Sequence, residues 1–345
     1  MDSPDTATRY SRQVRFPLIG PAGQERLGAA RILLVGCGAL GAGLAEMLVR
    51  SGVGTLVLVD RDVVDATNLG RQSTYTNEDV ERRLPKAAAL AHHLAAFNPL
   101  VKLVPCVTEF TPATAPELLA DVELVLDGTD NLETRYLIND LCVRAAMPWI
   151  YGACVGSSGM TANIVPGETP CLRCLFPDPP PPGTLETCET AGIIAPAAML
   201  VASVQAAEAL KFLTGARAAV RRSLLRFELW PWRCFELGAA AAPRADCPCC
   251  AERKFPFAEA AASSRTAVLC GRHSVQLRPA SPLRVELGVL AERLARFHQV
   301  KQNDWVLHFE AEGVHFTLFE DGRALLTGVN DPVAARTLFD RIIGT

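Results

Sequence analysis

The chain has 345 residues, 49% of them hydrophobic and 21% charged, with a formal net charge of -3. That length points to two domains, and the mildly acidic balance offers no footprint for nucleic acid. Residues 1–10 are polar and lack the apolar core of a secretory leader, so a cytoplasmic protein is expected. One apolar run, residues 191–207, is broken by Pro196, diluted by Ser203 and Gln205, and closed by Glu208 and Lys211. It reads as a buried helix rather than a membrane span. Twelve cysteines in a chain without that leader argue against a disulfide framework and for metal binding or catalysis.

In chain order, residues 31–35 read as a short buried strand. A glycine-rich turn and an apolar helix to about residue 50 follow. Residues 55–59 form a second strand ending at Asp60, 86–97 a helix, 100–108 contain a strand, and 115–120 carry a short helix. Residues 123–126 are another buried strand, and 148–151 start the next. Strands alternating with helical patterns predict right-handed βαβ units: a Rossmann-like α/β fold, with a mostly parallel sheet and helices on both faces. Residues 171–183 are rich in Pro and Cys and cannot join a sheet; they read as an extended crossing segment. A helix over 197–213 stops at Gly215. The last ~80 residues are a separate small α+β domain on composition and length. They carry strands within 268–277, 304–310 and 314–320, a turn at Asp321-Gly322, and helices over 283–297 and 331–343. The boundaries expected are 1–255 for the first domain, 256–265 for a linker and 266–345 for the accessory domain.

Gly36-x-Gly38-x-x-Gly41 lies between a strand and a helix, the context a nucleotide-binding fingerprint needs. Its glycines allow a tight turn, and the helix start offers free N–H groups to phosphate. Asp60, closing the next strand, is placed to hydrogen-bond a ribose hydroxyl. These features suit NAD and ATP equally. Beyond them come Asn68-Leu69-Gly70-Arg71-Gln72 and, opening the next helix, Lys86. Two cations at the carboxyl edge of a sheet suit a triphosphate, whose chemistry needs charge neutralisation. Asp130, in Asp127-Gly128-Thr129-Asp130-Asn131, is a natural Mg²⁺ anchor at the same edge, with a helix N-cap as its ordinary alternative. The adjacent His92 and His93 read as solvated or packed helix residues. Cys171-x-x-Cys174 and Cys247-x-x-Cys250 together supply the four thiolates of a closed structural Zn²⁺ site. Cys249 is a conceivable substitute that the spacing passes over. Cys188 stands alone after the prolines, and a thiolate there can attack an acyl adenylate or a persulfide.

Taken together with Arg9-Tyr10-Ser11-Arg12-Gln13, Pro85-Lys86 and Thr187-Cys188-Glu189-Thr190-Ala191-Gly192, these motifs resemble the ThiF/MoeB group of the ubiquitin-activating enzyme superfamily. The resemblance runs over about residues 7–252, with Gly70 departing from the usual Gln. It implies a homodimer that uses ATP to adenylate the C-terminal glycine of a ubiquitin-like sulfur-carrier protein ending in Gly-Gly. By that likeness Asp60 binds the ribose, Asn68, Arg71 and Lys86 meet the phosphates, and Asp130 holds Mg²⁺. Arg12 would serve the partner subunit's ATP. Cys188 would lie on a crossover loop, covalently engaged in some members and dispensable in others. A thiamin, molybdopterin or tRNA thiolation pathway is implied, with a cysteine desulfurase or another sulfur donor as partner and no membrane or nucleic acid involved. The last domain stands where some relatives carry a rhodanese domain. Without a cysteine after Cys270 it is read as a docking module for carrier or donor. The alternatives weighed are activation of a ubiquitin-like protein for conjugation, adenylation of a carboxylate on modified tRNA, an NAD-dependent oxidoreductase, and a catalytically silent binding subunit. The oxidoreductase leaves Arg71, Lys86 and Asp130 unexplained.

Overall fold

Strands covered on both faces are apolar at every position instead of alternating. Three segments have that composition but for one terminal residue each: β1 (Arg31–Val35), β2 (Thr55–Val59) and β4 (Leu124–Asp127). With β3 (Lys102–Cys106) and β5 (Trp149–Val155) they form the parallel half of an eight-stranded sheet, in the order β3-β2-β1-β4-β5. The register runs Arg31↔Thr55 to Val35↔Val59 on one side of β1 and Ile32↔Leu124 to Val35↔Asp127 on the other. The structure, a computed structural model, describes residues 6–181, 184, 187, 190–238, 242–259, 266–269, 274–278 and 284–344. They divide into two compact units, Met1–Ala261 and Ala262–Thr345.

The sheet of the first unit continues past β5 in an antiparallel half that is absent from the expected elements. β6 (Ser158–Ile164), β7 (Leu224–Leu229) and β8 (Trp232–Leu237) follow in order, paired antiparallel from β5 outward. One face of the sheet is covered by the glycine-loop helix Ala39–Ser51, the helix Lys86–Phe97 and the crossover helix Ala195–Leu213; the other packs on Leu132–Arg144. The apolar run is therefore a core helix, with Ala198, Val201, Ala202 and Ala209 buried. It starts two residues earlier than expected because Pro196 fits a first turn, where its missing N–H costs nothing. Gly43 lets it approach the glycine-loop helix, since a Cβ there would lie 2.7 Å from the Met199 sulfur.

The second unit is a six-stranded antiparallel sheet ordered β11-β12-β13-β14-β10-β9. Its strands are β9 (Thr266–Leu269), β10 (Ser274–Leu277), β11 (Lys301–Gln302), β12 (Val306–Ala311), β13 (Val314–Phe319) and β14 (Ala324–Thr327). Leu307, Phe309, Phe316 and Leu326 form its core with Leu294 and Leu338 from the helices Leu287–Leu294 and Pro332–Ile343. Asp331 caps the last helix, its carboxylate accepting from the N–H groups of Val333 and Ala334.

Candidate functional site

In open α/β sheets ligands bind beyond the carboxyl ends of the strands, where the strand order reverses. Here that point lies between β1 and β4, and the loops leaving these two strands touch. Gly36 sits at φ +92°, and a Cβ on it would be 2.6 Å from the Gly128 carbonyl oxygen. A Cβ on Gly41 would come within 1.9 Å of the Gly36 oxygen, so both glycines serve backbone packing. Gly38 differs. Nothing but the Gln72 amide, at 3.9 Å, stands near its missing Cβ, and it caps the glycine-loop helix, whose first N–H groups have no partner within the helix.

Asp60 leaves β2 and binds the glycine loop directly, with Oδ2 accepting from the Cys37 N–H at 2.8 Å and Oδ1 from the Asp62 N–H at 2.8 Å. Burial pushes its carboxyl above the usual range, and Lys86 works against that shift. Lys86 is 4% exposed, with Nζ 3.2 Å from Asp62 Oδ2. Tyr75 donates to the Cys37 carbonyl at 2.7 Å and lies 3.2 Å from that of Lys86, joining the glycine loop to the Lys86 helix. Arg61 pairs with Glu109 at 2.6 Å and feels Asp60 and Asp130 as well.

Asn68 closes a capping box, its Oδ1 accepting from the Asp65 N–H at 3.1 Å. Its buried Nδ2, like the Oε1 of Gln72, has no hydrogen-bond partner among the described residues. Arg71 donates to the Thr67 carbonyl at 2.7 Å. On the β4 side the helix cap belongs to Asn131, whose Oδ1 accepts from the Thr134 N–H. Asp130 takes no part in the cap and is exposed. The acid that holds the loop is Asp127, fully buried. It accepts from the Thr129 N–H and hydroxyl, at 2.9 and 2.7 Å, and from Arg135 Nε at 3.2 Å. Arg135 also donates to the carbonyls of Thr129 and Gly152. Gln205 on the crossover helix donates to the Asp127 and Ile150 carbonyls from below.

The four predicted zinc ligands converge. Their sulfurs all lie within 4.8 Å of one another, with Cys171–Cys247 at 3.6 Å, Cys174–Cys250 at 3.4 Å and Cys171–Cys174 at 3.8 Å. Tetrahedral zinc with thiolates at about 2.3 Å would set its sulfurs about 3.8 Å apart, so the donor set fits that ion. Cys249 is not one of these four, accepting instead from Asn139 Nδ2 at 3.2 Å and lying 3.5 Å from Asp140 Oδ1. Asn139 in turn accepts from the Leu172 N–H and Asp140 from the Phe257 N–H, so one helix seats both cysteine knuckles. None of the ten described cysteines is in a disulfide.

Residues 10–249 match the model of the ThiF family. The chain belongs to that family. It is 43% identical over 338 residues to the sulfur carrier protein ThiS adenylyltransferase of Bacillus subtilis, covering 97% of this chain and 99% of that one. Such coverage takes in most of the second unit. A sulfur carrier protein adenylyltransferase of Thermus thermophilus is 40% identical over 249 residues, 71% of this chain and 90% of its own. Among solved structures, MccB of E. coli shares the fold, with a TM-score of 0.61 at 20% identity over 72% of this chain and 75% of that one.

In this ThiF-family chain the Arg9–Gln13 segment is mostly an anchor. Arg9 donates to the Phe97 carbonyl, Asn98 Nδ2 to the Tyr10 hydroxyl, and Gln13 Nε2 to the Ser51 carbonyl. Phe97 and Ser51 end the two helices that begin at Lys86 and at the glycine loop, so the segment sits about 18–20 Å from the nucleotide edge. Arg12 is exposed, and no hydrogen bond or ion pair engages it among the described residues. His93 lies 2.8 Å from Asp79 Oδ2, within the cap of the helix Asn77–Glu81, a structural use. Cys188 lies outside the described residues. The motifs give no role to Arg61, Asp62, Tyr75 or Arg135 and none to Asp127 beyond its place in the Asp127–Asn131 stretch; the local signals are that Arg61 and Asp62 adjoin Asp60 and that Asp127 ends its strand.

Proposed function

We propose that this chain is an adenylyltransferase that uses ATP to activate the C-terminal glycine of a ubiquitin-like sulfur-carrier protein ending in Gly-Gly. The supporting observation is the contact between the glycine loop and the Asp127–Asn131 loop at the strand-order reversal, with Asp60, Arg71 and Asp130 on the loops after the strands and Lys86 opening the next helix. An NAD enzyme needs the first loop and an acid on the ribose; it has no need of two cations and a second exposed acid. The names of the B. subtilis and T. thermophilus relatives support the carrier as substrate.

On this reading Gly36 and Gly41 pack the turn that lets Gly38 bring backbone close to the phosphates, Asp60 takes the ribose, and Asn68 Nδ2 finds its acceptor on phosphate oxygen. The carrier's carboxylate oxygen attacks the α-phosphorus in line, and the bond to the β-phosphate bridging oxygen breaks, releasing pyrophosphate. Arg71 and Lys86 stabilise the charge that grows on the leaving group, an electrostatic role without proton transfer. Asp130 would hold Mg²⁺, which supplies further charge neutralisation when bound. Arg12, too far from the phosphates of its own subunit, serves those of a second copy, so the active form is a homodimer. Zn²⁺ on Cys171, Cys174, Cys247 and Cys250 joins the Pro-rich segment to the end of the domain. Cys188 acts after adenylation, receiving the activated carrier or sulfur. The 266–345 unit docks the carrier or a donor such as a cysteine desulfurase, and deletion after residue 258 tests this. Unchanged adenylation and thiocarboxylate formation would remove the assignment.

Exchange of labelled pyrophosphate into ATP tests the main reading. It should depend on a Gly-Gly carrier and be nearly abolished by Asp130→Ala or Arg71→Ala. Carrier-independent exchange, or none with any carrier, refutes it.

A further inference from the structure

The helix Leu132–Arg144 buries two polar residues side by side, Asn139 and Asp140, with no exposed surface on either. A polar group taken that deep costs free energy unless it is hydrogen-bonded, and asparagine is among the weaker helix formers. What pairs these two residues is the cysteine cluster. Asn139 Oδ1 accepts from the Leu172 N–H at 2.8 Å, and its Nδ2 donates to Cys249 Sγ at 3.2 Å. Leu172 directly follows Cys171, and Cys249 directly precedes Cys250. One amide therefore bonds beside a ligand of each pair, across 76 residues of chain. Asp140 serves the second pair alone, through the Cys249 thiol and the Phe257 N–H.

The two cysteine segments have other links. The Arg244 N–H lies 3.4 Å from Cys174 Sγ. The Tyr136 ring packs on Phe257 while its hydroxyl donates to the Phe176 carbonyl. Neither link reaches the backbone beside Cys171 or the side chain beside Cys250, which is where Asn139 acts. The ligands themselves cannot supply that registration, because metal-binding thiolates carry like charge and repel one another until the ion is bound.

We propose that Asn139 is a positioning residue for the zinc site, registering Cys171 against Cys250 so that the four sulfurs are set for the ion. The proposal rests on the reading of Cys171, Cys174, Cys247 and Cys250 as zinc ligands. It adds that the affinity and lifetime of the bound ion depend on a neutral amide on a helix outside both Cys-x-x-Cys pairs.

The test mixes zinc-loaded full-length protein with a chromogenic chelator, which reads the dissociation constant and the rate of zinc release. Melting by circular dichroism in excess zinc reads stability on the same proteins. Asn139→Ala should weaken zinc binding by roughly 10–100-fold, the usual effect of losing a group that orients metal ligands, and should release the ion faster. Cys249→Ala keeps Asn139 and all four ligands but removes the acceptor of Nδ2, and should weaken binding severalfold. Asn139→Ala protein that melts lower yet holds zinc like wild type overturns the proposal, because a merely structural asparagine supports the loaded and metal-free folds alike. An unchanged dissociation constant in Cys249→Ala overturns it too, and decides alone if Asn139→Ala does not fold. A wild-type chain that holds no zinc is a different failure, and it removes the four-cysteine reading itself.

Discussion

Arg135→Met breaks the one buried ion pair beneath the Asp130 loop. In the native protein Asp127 is fully buried and Arg135 is 8% exposed. Burial pushes the Asp127 carboxyl up, while Arg135 and the hydrogen bonds from Thr129 and Gly152 pull it back. Removing one partner of such a pair costs about 3–5 kcal/mol, because a charge is left buried and unpaired. At roughly 2–4 °C per kcal/mol for a unit of this size, the melting midpoint of the first unit should fall on the order of 10 °C at pH 7. The sign of the pH dependence follows from the remaining acid. In the variant the folded-state pKa of Asp127 stands above its unfolded value. Stability is therefore greatest at low pH and is lost as pH rises through the folded pKa, so the deficit against wild type should shrink toward pH 5. Asp127→Asn/Arg135→Met, which removes the charge as well, should recover much of the loss. Thermal unfolding by circular dichroism at pH 5 and 7 measures all three proteins. A loss below about 1 kcal/mol at pH 7, or a deficit that grows on acidification, refutes the reasoning.

Gly41→Ala and Gly38→Ala should fail differently. The first forces a Cβ to within 1.9 Å of a carbonyl oxygen and should destabilise the fold. The second meets open space and should melt like wild type while binding ATP more weakly, as calorimetry would show. Purified protein should carry one zinc per chain by elemental analysis. Cys250→Ser should lower both metal content and melting midpoint, and full zinc occupancy in that variant would exclude the four-cysteine site. Arg12→Ala and Asp130→Ala proteins, each inactive alone, should regain roughly a quarter of wild-type pyrophosphate exchange when mixed and reassociated. Half the dimers are then mixed, and each has one intact site. No recovery would place Arg12 in its own subunit's site or outside any. Cys188→Ala should leave exchange unchanged and slow only a later sulfur or carrier transfer.

Much of the nucleotide edge was legible because its signals are local. The all-apolar strands, the glycine spacing and the charged residues just past strand ends each lie within a few residues of what they determine. The cysteine pairs were legible for the same reason, since tetrahedral ligation imposes its spacing on the chain. What needed the tertiary structure was every choice made between distant segments. β6 alternates Met160, Ala162 and Ile164 with Gly159, Thr161 and Asn163, but over so few residues, with a glycine among them, that the pattern is weak by itself. It is a strand because it lies between β5 and β7, and β7 is some sixty residues away along the chain. β8 is exposed throughout, so no burial pattern marks it. Asp130 and Asn131 are equal candidates for a helix cap on paper, and the backbone turn held by Asp127 and Arg135 gives the cap to Asn131 and leaves Asp130 exposed. The spacing already selects Cys250 over Cys249, and the fold adds what Cys249 does instead, which is to meet Asn139 and Asp140 on another helix.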